Sequence, residues 1–389
     1  MWSAASYTAG ENVGSVQLSA VRTGSTSGAA TVNYATSDTA GANNCNVLNS
    51  GVANSRCDYE ITVGTLKFAA GETSKTILIP VIDDAYAEGS ESLTVTLSNA
   101  TGASLGSPNV ATVTINDNET TTGTNPINQA GFFVRLHYID FFTREPDAGG
   151  LAFWTNQITS CSTDQACLEL KRINVSAAFF LSIEFQETGY LVERTYRVAY
   201  GNATGTSTFG GTHPLSVPVI RLNEFLPDTQ QIGRGVVVGQ TGWEQVLENN
   251  KQAFMNEFVQ RTRFTTAYPG TMTPSQYVDA LNVNAGNALS TTERNQLISD
   301  LTGGAKTRAQ VLRAVAEDAD LNTAEFNRAF VLMQFYGYLR RNPNDAPDSD
   351  YTGYDFWLGK LNQFNGNFVN AEMVKAFIVS GEYKQRFGP

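Results

Sequence analysis

The sequence predicts a multidomain β + α chain. An antiparallel β-sandwich fills residues 1–119, a Thr-rich linker spans 120–130, and an all-α domain with internal repeats occupies 131–389. Three observations predict this. Apolar residues alternate with period two as far as residue 116, the pattern of half-buried strands, and from about residue 131 they recur at three and four, the pattern of one helix face. Between the two regimes lies the short polar stretch Glu119-Thr120-Thr121-Thr122-Gly123-Thr124-Asn125-Pro126. Finally, 389 residues exceed what one ordinary core organises.

Six strands follow in order from the alternation. Val16/Leu18 mark a strand near 14–22, Val32/Tyr34 one near 29–36, and Leu66/Phe68 one near 64–69. Ile77/Ile79/Val81 mark 74–82, Leu93/Val95/Leu97 mark 91–98, and Val113/Ile115 mark 109–116. The acids of this part are not spread along those strands. The first 119 residues hold 11 Asp and Glu against 4 Lys and Arg, a balance of −7 within a whole-chain charge of −11. If successive strands run antiparallel, one rim collects Glu11, Asp38, Asp58, Glu60, Asp83, Asp84, Glu88, Glu91, Asp117 and Glu119, and the opposite end keeps only Glu72. Carboxylates at that density repel one another unless a cation sits among them. A hard divalent ion with oxygen ligands answers this, and calcium accepts the irregular coordination that loops supply. A solvated acidic face is the plainer reading.

At these residues the segment resembles the Calx-beta domain family. The matching stretches include Tyr7-Thr8-Ala9-Gly10-Glu11, Thr31-Val32-Asn33-Tyr34-Ala35-Thr36-Ser37-Asp38, Cys57-Asp58-Tyr59, Ile82-Asp83-Asp84, Glu88-Gly89-Ser90-Glu91 and Val113-Thr114-Ile115-Asn116-Asp117-Asn118. The resemblance covers residues 3–119. It implies an immunoglobulin-like β-sandwich of about seven strands that binds calcium at one end, with ligands at Glu11, Asp58, Asp83, Asp84, Glu88, Glu91 and Asp117. Two positions depart from the family pattern. Asp117 is followed by Asn118 and Glu119 rather than a run of aspartates, and Ala85 stands where a third aspartate often follows Asp83-Asp84. Fewer formal charges imply fewer or weaker ions than the fullest family members hold.

The four cysteines form two close pairs, Cys45 with Cys57 and Cys161 with Cys167. Neither pair has a zinc-ligand spacing, and the chain has only two histidines, His137 and His213. The expected state is two local disulfides in an oxidising compartment.

The helical part opens its helices with recognisable signals. Ser290-x-x-Glu293 and Asn322-x-x-Glu325 read as capping boxes, and Thr273-Pro274 as an N-cap with a first-turn proline. About ten helices are expected, enough to bury a core. An internal repeat runs through them. Phe133-Val134, Arg144-Glu145-Pro146-Asp147 and Phe153-Trp154 recur as Phe330-Val331, Arg341-Asn342-Pro343-Asn344 and Phe356-Trp357. Phe179-x-x-Ser182-x-Glu184-Phe185 recurs as Phe377-x-x-Ser380-x-Glu382-Tyr383. The units lie near 131–200 and 322–389, with a weak one at 242–320. The Phe-Trp pairs read as core between helices. These residues resemble the bacterial family called domain of unknown function 4214, whose members accompany calcium-binding repeats in secreted proteins; that resemblance implies architecture and no activity. The Gly201–Val217 stretch reads as an exposed, mobile loop, and Asp345, Asp348, Asp350 and Asp355 as a solvated turn.

Composition narrows the function. Only 16% of residues are charged and the net charge is −11, which disfavours nucleic acid or an anionic membrane as partner. No apolar run approaches the roughly 20 residues that cross a bilayer. Met1-Trp2-Ser3-Ala4 runs straight into strand sequence, so the reading is a trimmed chain from which an export signal is missing. Nucleophile elbows, zinc-protease helices, phosphate loops and dinucleotide fingerprints are absent from the sequence. A pair of carboxylates for glycoside hydrolysis stays open, though nothing favours a particular pair. The expectation is a non-enzymatic, extracellular or cell-surface structural protein, stabilised by calcium and self-associating head to tail into an array or filament. The alternative is an adhesin that grips a glycan or another surface, and a secreted enzyme of unrecognised type comes third.

Overall fold

The computed structural model describes residues 1–41 and 43–389. Seven strands lead the chain: β1 (Ser6–Gly10), β2 (Ser15–Val21), β3 (Ala30–Thr36), β4 (Val63–Phe68), β5 (Ser74–Pro80), β6 (Glu91–Thr101) and β7 (Val110–Asn116). Strands β2 to β7 lie where the alternation placed them. β6 shows why: its side chains alternate between buried and half-buried as far as Leu97 and Ser98. Five strands form one sheet in the order β1-β7-β6-β3-β4, and β2 pairs with β5 in another. Val16, Leu18, Ile77 and Ile79 of the second sheet share one buried cluster with Val32, Leu66, Leu93, Val95, Leu97 and Val113 of the first. Trp2 is fully buried in that cluster, and its indole Nε1 donates to the Val95 carbonyl at 2.9 Å.

β1 corrects the expectation of a purely antiparallel domain. It pairs parallel with β7, with Gly10 opposite Asn116. Its five residues Ser-Tyr-Thr-Ala-Gly include no fully buried side chain, so no alternation marked it.

The chain divides into two compact units, Met1–Phe179 with Lys375–Pro389, and Phe180–Val374. The first holds the sheets, α1 (Ala130–Phe142) and α2 (Ala148–Thr159), and nearly all of α3 (Gln165–Leu181). The second contains α4 (Ile183–Glu187), α5 (Gly189–Tyr200), the hairpin β8 (Asn202–Ser207) and β9 (His213–Pro218), α6 (Leu222–Gly233) and α7 (Trp243–Phe258). It continues through α8 (Thr262–Ala267), α9 (Pro274–Asn284), α10 (Thr291–Thr302), α11 (Arg308–Ala316), α12 (Ala319–Met333) and α13 (Thr352–Gln363). Helices α14 (Met373–Ile378) and α15 (Gly381–Lys384) close the chain. The helices outnumber the ten expected because several are short: α4 has 5 residues, α8 has 6 and α15 has 4.

Thr273 and Ser290 cap α9 and α10 through reciprocal bonds with Gln276 and Glu293. Asn322 does not cap a helix. It lies inside α12, whose N-cap is Asp318, a residue that accepts from the amides of Asp320 and Leu321. The Gly201–Val217 stretch is a paired hairpin rather than a mobile loop, with Ser207 donating to Asp355 at 2.6 Å. The aspartates beyond α12 are likewise partnered rather than simply solvated. Arg221 holds Asp345 and Arg341 holds Asp348, each at 2.8 Å, and Asp350 accepts from the Thr352 amide at 2.9 Å.

Local geometry recurs where the sequence recurs. Thr143 and Arg340 end their helices at the same left-handed φ of 55°. Arg144 lies over the Tyr138 ring at 5.0 Å and Arg341 over the Phe335 ring at 5.5 Å. Phe153–Trp154 and Phe356–Trp357 are edge-on pairs with centroids 4.9 Å apart in both. Ser182 and Ser380 cap α4 and α15 by accepting from Phe185 and Tyr383 amides at 3.1 Å. The Phe-Trp pairs are not core as expected: Phe153 is 55% exposed, and Trp154, Phe356 and Trp357 are half-buried.

The sheets' core generates a contrast test. Leu97 is buried and Leu78 is 58% exposed. Leu97→Ala should cost roughly 2–5 kcal/mol and Leu78→Ala less than about 0.5 kcal/mol. Urea unfolding of the two variants checks this, and equal midpoints would contradict the assignment of the core.

Candidate metal centre

Five short segments at one end of the sheets carry the acids. A single 3-10 turn, Glu11–Val13, follows β1 directly. The β3–β4 loop carries Asp58, and the β5–β6 loop carries Asp83, Asp84 and Glu88. β6 begins at Glu91, and Asp117 and Glu119 follow β7. The parallel β1–β7 pairing sets Gly10 opposite Asn116, so Glu11 and Asp117 leave the sheet side by side.

Two groups of carboxylates converge there. Glu11, Asp117 and Glu119 form one, and Asp58, Asp84 and Glu88 form the other; within each, one oxygen per residue lies within 4.8 Å of the rest. Five of the seven expected ligands therefore fall into these groups. Asp83 and Glu91 stand just outside them: Asp83 acts electrostatically on Glu11 and Glu119, and Glu91 shares a hydrogen bond with Asp58. Glu119 belongs to a group although the family pattern did not name it as a ligand, and its place on the acidic rim was the signal that could have found it. Of the remaining rim acids, Asp38 is exposed and accepts from Ser55 Oγ at 2.7 Å, and Glu60 is buried outside both groups.

Backbone amides hold four of these carboxylates. Glu11 accepts from the Asp84 amide at 2.7 Å, Asp84 from the Tyr86 amide at 2.7 Å and Asp58 from the Asn54 amide at 2.5 Å. Asp117 accepts from the Gly89 amide at 2.8 Å and the Glu119 amide at 2.6 Å. Gly89 has φ +80°, a conformation that favours glycine and aims its N–H at Asp117. The Cys45–Cys57 disulfide, with Cα atoms 5.9 Å apart, braces the β3–β4 loop one residue before Asp58. Its two cysteines form a small buried cluster with Tyr86, tying that loop to the β5–β6 loop. The second expected disulfide, Cys161–Cys167, is also present.

Three carboxylate oxygens at this end are left without partners. Asp83 Oδ1, Asp84 Oδ2 and Glu119 Oε2 are buried and accept no hydrogen bond. Orphaned acceptors of this kind cost free energy wherever they sit. Among the described residues, no Lys or Arg side chain pairs with any member of the two groups.

The consequence is electrostatic. Burial, opposed by the Asp84 amide and reinforced by Glu119, Asp83 and Asp117, pushes Glu11 up to about 8. Burial, with Glu11 and Glu88 beside it, takes Asp84 to about 9, and burial with Glu91 takes Glu88 to about 8. Glu119 rises to about 7 through burial and its hydrogen bond with Asp117, and burial raises Asp58 well above the carboxylate range. Without a cation, the rim keeps protons near neutral pH to relieve the repulsion. Oxygen-only donors with unfilled lone pairs suit a hard divalent ion and offer no nitrogen or thiolate to a softer one.

These shifts fix the sign of a pH effect. A carboxyl with a higher pKa folded than unfolded binds more protons when folded, so stability falls as pH rises through the interval between the two values. Burial lowers His137 from 6.5 to about 4, so above pH 6.5 it is mostly neutral in both states. In chelator, the melting temperature should therefore fall between about pH 6.5 and 9. Thermal melts across that range check this, and a rising temperature would contradict it.

Comparison with known proteins agrees with the rim's position in the chain. Residues 2–119 match the Calx-beta domain family. Sodium/calcium exchanger 1 of Rattus norvegicus is 23% identical over 351 residues, covering 71% of this chain and 35% of the exchanger. The Cavia porcellus exchanger is 36% identical over 128 residues, which are 28% of this chain and 12% of that protein. The chain thus spans about a third or less of the exchangers' length. Among solved structures, the calcium binding domain CBD12 of CALX1.1 is 32% identical, covering 30% of this chain and 44% of that one, with a TM-score of 0.26. The apo-form Calx CBD1 domain is 32% identical over 30% of this chain and 95% of its own, with a TM-score of 0.27. The N-terminal part of this chain, residues 2–119, is a Calx-beta domain.

Proposed function

We propose that the chain is a calcium-binding structural protein whose N-terminal domain is made rigid by the ions at its acidic rim. One observation carries this reading: two convergent groups of carboxylates, buried or half-buried, have unfilled oxygens among them and no protein cation beside them. Glu11, Asp117 and Glu119, with Asp83 adjacent, would hold one ion; Asp58, Asp84 and Glu88, with Glu91 adjacent, would hold the other. Calcium is the natural occupant, because loops of unequal reach cannot enforce the strict octahedron that magnesium demands. The names of related domains as calcium-binding ones support the same choice.

Further parts of the reading rest on the fold. The two sheets with their common core are the faces of an immunoglobulin-like sandwich. The helices around Arg144 and Arg341 are copies of one unit, supported by their matching left-handed ends, stacked arginines and Phe-Trp pairs. Two disulfides favour an oxidising compartment outside the cell. A non-catalytic role is favoured by the histidines. His137 is buried between the Phe133 carbonyl and Ser176, and His213 faces Asp355 at 3.2 Å.

Two measurements test the proposal. Calcium about 100-fold above its dissociation constant should stabilise the domain by roughly 2.7 kcal/mol for each site filled, with affinity on the order of 10⁻⁴–10⁻³ M for an extracellular module. At pH 7 the ion must displace protons from Glu11, Asp84 and Glu88, so titration calorimetry in buffers of different ionisation enthalpy should show proton release. A melting temperature indifferent to calcium and chelator would overturn the reading.

Non-reducing peptide mapping should recover Cys45–Cys57 and Cys161–Cys167 from protein purified out of its native compartment. Four free thiols there would contradict the extracellular placement.

A further inference from the structure

The last ten residues of the chain belong to the same compact unit as the sheets. They sit on the backbone that carries one of the two carboxylate groups. Phe387 accepts at its carbonyl from the Ala85 amide at 3.1 Å, and the Tyr86 hydroxyl donates to the Gln385 carbonyl at 3.1 Å. Ala85 and Tyr86 directly follow Asp84. On the neighbouring loop, Arg386 Nε donates to the Arg56 carbonyl at 2.7 Å, two residues before Asp58, and Arg56 reaches Glu382 at 3.3 Å.

The same segment grips the first helix. Arg386 is 1% exposed, and its guanidinium makes a fork with Asp140 of α1 at 2.9 and 2.8 Å. Phe387 is fully buried, edge-on to Phe132 of α1 with centroids 5.6 Å apart. Asn125, just before α1, donates to the carbonyls of Lys384 and Gly388, both at 2.9 Å. Arg386 therefore bridges the Asp58 loop to α1 with one side chain, and its neighbours bridge the Asp84 loop to the residues before α1.

We propose that residues 380–388 form an ion-dependent strap: calcium at the Asp58–Asp84–Glu88 group sets the two loops that receive the strap, and the docked strap fastens α1 to the rim. The inference rests on the calcium reading above and adds where occupancy is transmitted. Without the ion, repulsion among Asp58, Asp84 and Glu88 spreads the loops whose amides and carbonyls the strap uses. With it, those groups are fixed at hydrogen-bonding distance. Linkage makes the coupling reciprocal, so a docked strap tightens calcium binding by the same factor that calcium tightens docking.

Hydrogen–deuterium exchange on the full chain, in millimolar calcium against chelator, tests this. Residues 83–88 and 380–388 should both slow by about tenfold or more in calcium, with the α1 residues 130–142 following. Protection of 83–88 with no change in 380–388 would overturn the strap and leave the calcium reading intact; no protection anywhere would overturn both. Tyr86→Phe removes only the hydroxyl that bonds Gln385, and a chain ending at Val379 removes the strap. Calorimetry with calcium should show Kd weakened in both, by about fivefold or more in the truncated chain. An unchanged Kd in the truncated chain, folded by circular dichroism, would overturn the coupling.

Discussion

Mutual repulsion among buried carboxylates is the constraint to which the rest of the first unit answers. Glu11, Asp58, Asp84 and Glu88 are each under a tenth exposed, and the described residues bring no Lys or Arg to the two groups they help form. Backbone amides tie Glu11, Asp84 and Asp117 to the loops, while buried oxygens of Asp83, Asp84 and Glu119 are left over. A loop arranged like this is strained while its acids are all ionised and settled once they are neutralised, by protons or by a cation. The Cys45–Cys57 disulfide restrains the longest of these loops whichever state holds.

Much of this was legible in the sequence because strand parity is a strong signal. Alternation located β2 to β7, and parity then sent Asp58, Asp83, Asp84, Glu88 and Asp117 to one end without any knowledge of the pairing. β1 escaped because Ser-Tyr-Thr-Ala-Gly shows no clean alternation, yet its parallel register is what sets Glu11 beside Asp117. The β8–β9 hairpin escaped because Gly, Thr and Ser are as common in loops as in an exposed ribbon. Asn322 misled as a cap because Asp318 offers the same chemistry one turn earlier.

The strap was invisible for a different reason. Arg386 meets Asp140 across 246 residues and Arg56 across 330, and no local pattern encodes a pairing at that separation. Its sequence, Tyr383-Lys384-Gln385-Arg386-Phe387, reads as an ordinary helix end. Only the fold reveals that a buried arginine there satisfies a buried aspartate on α1 and a loop carbonyl beside Asp58 together. The helical region lies between these extremes: its recurring sequence motifs were legible, but the half-exposed placement of the Phe-Trp pairs was not, since aromatic spacing on a helix does not say which face is covered.

The most direct test of the account is a crystal structure of the full chain grown in calcium, with anomalous differences used to locate the ions. The account predicts peaks roughly 2.3–2.6 Å from carboxylate oxygens of the Glu11–Asp117–Glu119 and Asp58–Asp84–Glu88 groups. An ordered rim with no ion in either group, its acids satisfied by water or protein alone, would contradict it.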